Sequence, residues 1–243
     1  MKVVKFSTLA LVWLVLVGCN SEKHSFPTDK KYWTLDDYDL AVRELRFAYE
    51  PDEKLPTFDN ANDRIIVEKL TDHENFKVIL DDDELGISHR NNLAQKFFNK
   101  WKEMQKIYRA RDRKDQYLYE NEMLAVWQFG LNLQLRYFEL GNQEIVKNAD
   151  DPNASEVKRV VNSNIKTLIQ NYQLYLDEIN TEESYTTGGQ KKLAQGIDKY
   201  FTDLIEQYPE AEYKALKRKA ELLLNKSQSA TIRQSLESLI GKL

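Results

Sequence analysis

The chain has one cysteine, Cys19, preceded by Leu16-Val17-Gly18 and by a mostly apolar run from Phe6 to Val17. Lys2 and Lys5 place positive charge ahead of that run. A cysteine reacts through its thiolate. The apolar run is too short to cross a bilayer core, which takes about twenty residues. It has the form of the apolar segment of a secretory signal. A single cysteine also excludes an intrachain disulfide and any cysteine-based metal site.

Other residues with chemical potential are sparse. The histidines are His24, His73 and His89. No two have metal-ligand spacing, and no Glu-x-x-His pair of the di-iron bundle kind occurs. No cofactor and no metal site is expected. Asp81-Asp82-Asp83-Glu84-Leu85-Gly86 places Asp81, Asp83 and Gly86 at positions one, three and six of a calcium loop. Leu85 then falls at position five and Asn92 at position twelve, which removes two ligands, so an acidic turn before a helix is favoured. There is no G-x-S-x-G elbow and no glycine-rich phosphate loop. No catalytic residue is assigned, and the ligand-binding residues stay unassigned.

Charge is unevenly spread. Residues 29–84 hold 17 acidic and 8 basic side chains, a net of −9, whereas 96–114 hold 8 basic and 2 acidic, a net of +6. The basic segment could meet anionic lipid or an acidic partner. Pairing of the two regions inside the monomer is favoured. With a chain net charge of −4, nucleic acid is not an expected partner.

The sequence Leu16-Val17-Gly18-Cys19, with its short basic and apolar leader, resembles the lipobox of bacterial lipoproteins. The resemblance covers the leader alone. It implies that Cys19 is the lipid attachment site, carrying diacylglyceryl and often a further acyl chain such as palmitate. Residues 1–18 would be a cleaved signal peptide. Location would be the cell membrane or outer membrane, facing periplasm or exterior. Asn20 rather than Asp after the cysteine leans towards the outer membrane. The Asn-, Lys- and Tyr-rich, glycine-poor composition is similar to lipoproteins of the Bacteroidetes group.

The elements that would position these groups are helices. With only 8 glycines and 5 prolines in 243 residues, long helices are favoured over a sandwich or barrel. Residues 19–31 read as the lipidated N-terminus and tether, and 32–243 as a helical domain, with 188–243 as a candidate semi-separate unit. Thr34 and Asp37 have capping-box spacing, ahead of Tyr38, Val42, Leu45 and Tyr49. Arg64–Leu70 is short enough for strand or helix, with helix preferred, and Thr71 opens a further turn of helix. Ser88 reads as the N-cap of a helix carrying Leu93, Phe97, Trp101, Met104 and Tyr108. Residues 115–140 are apolar around much of a helix and belong at the centre, with Gly141-Asn142 as the stop. Pro152 opens a helix to about Asn180, Thr186–Gly189 is a break, and Pro209 starts another helix. The fold class expected is all-α, an antiparallel helical bundle of about five to seven helices.

Three functions are compatible with these residues. The first is a non-enzymatic interaction or accessory lipoprotein at the cell envelope, with an envelope protein as partner. The second is a lipid-anchored small-ligand-binding protein with an interhelical pocket near Trp101 and Trp127. The third, least favoured, is a carboxylate-based envelope enzyme.

Overall fold

A computed structural model describes residues 25–47, 54–109, 117–149 and 154–243. These residues carry nine α-helices: α1 Leu35–Phe47, α2 Ala61–Leu70, α3 His73–Leu80, α4 Ile87–Arg109, α5 Glu120–Lys147, α6 Ala154–Leu176, α7 Thr187–Gln207, α8 Lys214–Lys226 and α9 Ala230–Lys242. A 3₁₀ segment, Asp177–Ser184, joins α6 to α7. The chain therefore forms the all-α bundle its periodicity predicts. The helices outnumber the expected five to seven because the short segments α2 and α3 fold as separate helices. No described helix is long and apolar enough to cross a membrane.

The long helices α4 and α5 are antiparallel. Asn91 meets Glu144, Phe98 meets Tyr137, Trp101 meets Trp127, and Tyr108 meets Tyr119. α6 runs antiparallel along the other side of α5, with the Tyr172 hydroxyl donating to Leu131 O at 2.8 Å. Residues from nearly every side of α5 are buried, as expected of a helix covered all round. α7 packs on α5 and α9, so the 188–243 region is tied directly into the central helix. An aromatic cluster of Trp33, Tyr38, Phe97, Phe129 and Phe76 seals α1 and α3 onto this centre. Each such ring, fully buried, contributes about 1.5–3 kcal/mol.

The helix ends show where local signals hold and where they fail. Thr34 and Asp37 form the reciprocal box: Thr34 N donates to Asp37 Oδ2 at 2.9 Å, and Asp37 N donates to Thr34 Oγ1 at 3.3 Å. Arg64–Leu70 is helical, within α2. Thr186 caps α7, accepting from Gly189 N at 3.2 Å.

Five expectations are corrected. Asp72, not Thr71, caps α3, accepting from Glu74 N. α4 begins at Ile87, and Gly86 O accepts from His89 N and Arg90 N, so Ser88 lies inside the first turn. α5 continues past Gly141-Asn142 to Lys147, because Asn142 is buried and accepts a bond from Asn164 of α6. The α-helix after Pro152 stops at Leu176 and tightens to 3₁₀. Pro209 sits in the turn before α8, which starts at Lys214.

The later residues of the segment read as a tether, 19–31, touch the helical body. Phe26 packs against the core, Trp33 Nε1 donates to Pro27 O at 2.8 Å, and Lys30 pairs with Asp37 at 2.6 Å. Cys19, the 1–18 leader, His24, Tyr49, Pro152 and the basic residues 110–114 lie outside the described residues.

Candidate functional site: a groove along α6

The buried charged groups are held by the protein itself. Glu120, at the start of α5, accepts from Thr186 N at 2.7 Å and from the Thr186 hydroxyl, fixing the start of α7. Glu122, one turn-face away, accepts from Phe58 N at 2.7 Å and pins the loop before α2. Burial pushes the Glu122 carboxyl above its usual range. Lys192 of α7 stands over the Phe58 ring and donates to Asn121 O at 2.7 Å. Burial lowers Lys192, and the Glu122 and Glu120 charges partly offset that. Glu182 accepts from the Ser227 hydroxyl at 2.6 Å and from Ser229 N at 3.3 Å, ordering the start of α9. Glu178 pairs with Arg109 and accepts from the Tyr185 hydroxyl at 2.6 Å. Each carboxylate thus spends itself on joining elements distant in sequence.

The residues singled out in the sequence are dispersed. His73 begins α3, stacked on Phe129, with its Nε2 at 3.1 Å from the Tyr200 hydroxyl. Burial, then the Lys199 and Lys77 charges, pull its pKa down to about 4. His89 is exposed on α4. In the acidic turn, Asp81 caps α3 and pairs with Arg136, Asp82 accepts from Glu84 N, and Asp83 pairs with Arg90. Among the described residues no group of three or more His, Cys, Asp or Glu is placed to hold a metal ion. Trp101 and Trp127 are core residues, 4% and 3% exposed, in edge contact with each other. Both indoles pack into the core, Trp101 against the backbone of Gly130. The basic segment is engaged in part: Lys100 pairs with Asp39 of α1 and with Glu103, and Arg109 pairs with Glu178, while Lys96, Lys102 and Lys106 form no ion pair among the described residues.

A wide concave surface lies elsewhere, between α6 and the turn that joins α7 to α8. It is a groove of about 880 Å³, within the usual range for ligand sites. One wall is a stripe of α6 bearing Asn162, Lys166, Gln170 and Gln173, with Ile165 and Ile169 between them. The opposite wall includes Gln207, Tyr208 and Ala211. The turn is held rigid by Tyr213, whose hydroxyl bonds Tyr208 O at 2.9 Å and Leu204 O at 3.2 Å. Arg159 at the rim is already paired with Glu156. Glu210 and Glu212 balance the cations Arg159 and Lys166, so the lining is neutral overall. Such a surface can hydrogen-bond and bury aliphatic groups, with amides supplying donors and acceptors together.

Sequence reading missed this groove. The stripe of polar side chains at positions 162, 166, 170 and 173 was its only trace, and a polar stripe on an exposed helix face is ordinarily just solvated. Comparison with protein families, with curated proteins and with solved structures finds no match to this chain.

Proposed function

We propose that this chain is a bacterial envelope lipoprotein, anchored through Cys19, that acts as a non-enzymatic interaction or accessory protein. One observation carries the reading: a lipobox leader precedes a helical body whose α6 groove is lined by amides and aliphatic side chains, with buried carboxylates committed to structural bonds elsewhere. The leader supports anchoring at the cell membrane or outer membrane. The groove supports capture of a partner.

The same groove favours a second reading, a lipid-anchored protein that binds a small ligand. A volume of about 880 Å³ is enough for a metabolite-sized molecule.

Labelled fatty acid and intact mass test the anchor: wild type takes up label and starts at Cys19, and Cys19→Ala does neither. An unmodified thiol on the processed chain would overturn the lipoprotein reading. For the groove, Gln170→Trp fills the α6 wall from an exposed position. Native mass spectrometry and cross-linking of membrane extract should show a ligand or protein on wild type that this variant loses. Equal capture by both moves the partner site away from α6.

A further inference from the structure

The outer face of α8 carries Lys214, Arg218, Leu222 and Lys226 at four-residue intervals, and all four are exposed. That spacing puts them on one stripe, about 18 Å long at 1.5 Å per residue. The opposite face, with Leu216, Ala220 and Leu223, is buried against the body. In all, α8 has five cations and a single carboxylate, Glu221. Only Lys219 is matched by an ion pair among the described residues, with Asp177. Glu210 and Glu212 in the preceding turn, and Glu221 on the flanking stripe, make no salt bridge to the stripe in the described structure.

Most of these charges do not serve the helix. Lys214 and Arg218 are like charges at i and i+4, which repel. Lys214 and Lys217 stand in the first turn, where the helix dipole disfavours positive charge, and of the stripe only Lys226 lies in the last turn, where it is favoured. Leu222, 56% exposed, sits in the middle of the stripe, and the neighbouring α6 exposes Leu174 at 52%. Cations flanking an exposed aliphatic on a helix packed flat against its domain match the chemistry of a headgroup layer: anionic phosphate outside, hydrocarbon beneath.

We propose that the outer stripe of α8 rests on an anionic phospholipid surface. The proposal rests on the anchored reading for its setting: a lipid on Cys19 would hold the body beside a membrane, within reach of its headgroups. The contact itself is tested without the lipid, so it can fail while acylation of Cys19 stands.

The test is vesicle sedimentation of the chain from Asn20 onward, which keeps every described residue. Two vesicle types are used, phosphatidylcholine alone and phosphatidylcholine mixed with phosphatidylglycerol. The chain should bind the mixed vesicles and not the neutral ones. Binding should vanish at about 1 M salt, where the screening length is about 3 Å. Lys214→Gln with Arg218→Gln should weaken it about 25-fold, at about fivefold for each cation removed. Leu222→Ser should weaken it further, and the control pair Lys96→Gln with Lys147→Gln should not. Equal binding to both vesicle types overturns the proposal, as does equal loss in the control pair. Absence of vesicle binding alongside salt-sensitive binding of polyglutamate also overturns it, and assigns the stripe to an acidic protein.

Discussion

The indole of Trp101 lies against the backbone of Gly130, and its Nε1 donates to Val126 O at 2.8 Å one turn earlier. A Cβ at position 130 would fall well inside contact distance of three indole atoms. Trp101 is 4% exposed and tied at its nitrogen, so it has little room to yield. This close approach is what lets α4 and α5 pack along their length. Gly130→Ala should therefore destabilise the fold by about 1–3 kcal/mol, or a fall of roughly 2–10 °C in melting temperature for a domain of this size. Trp101→Phe in the same background should recover part of that loss. An unchanged melting temperature in Gly130→Ala would contradict the packing.

Glu122 holds the loop before α2 through one backbone bond, at a site where burial disfavours its charge. Glu122→Gln keeps an acceptor for Phe58 N and removes the buried charge, so it should cost under about 1 kcal/mol. Glu122→Ala orphans the amide and should cost about 1–3 kcal/mol. Chemical denaturation of the two variants separates these outcomes. If glutamine is as damaging as alanine, the attraction between the Glu122 charge and the nearby Lys192 matters more than the bond to Phe58.

His73 makes the fold acid-sensitive. Its folded pKa of about 4 lies below the unfolded value of about 6.5. Above pH 6.5 the ring is neutral in both states, and its contribution is fully present. As pH falls from 6.5 towards 4, the unfolded state takes up a proton that the folded state resists, and stability declines. The shift corresponds to an upper bound on the order of 3 kcal/mol. Denaturation midpoints for wild type should drop across that window, and His73→Phe should flatten the drop. A slope identical in both proteins would assign the acid sensitivity to other groups.

The capping box at the head of α1 is worth a smaller, local effect. Thr34→Ala removes the acceptor for Asp37 N and one partner of the Asp37 carboxylate. It should cost about 1 kcal/mol, with faster amide exchange confined to the first turn of α1. Exchange that accelerates throughout α1 and α4 would mean the box fastens the whole helix to the bundle.

Much of the architecture was legible in the residues alone. The residue pattern placed the described helices near their observed positions, because periodic burial is a property of short windows of sequence. The Thr34–Asp37 box was legible for the same reason: both partners lie within three residues. Long-range packing overrode the weaker signals. Gly141 and Asn142 read as a stop, yet α5 passes through them because Asn164, 22 residues on, supplies a bond to Asn142.

The α6 groove shows the limit most plainly. Its walls come from residues 159–173 and 207–215, which no local pattern connects. The same holds for Trp101 and Trp127, whose spacing could not say whether the rings line a pocket or fill one. The sequence by itself determined the lipobox resemblance of Cys19, the helical class and the approximate positions of the helices, all of which depend on neighbours in the chain. Only the tertiary structure decided which polar faces stay open to solvent. Exposure is set by what packs on top, and that partner is supplied by distant segments.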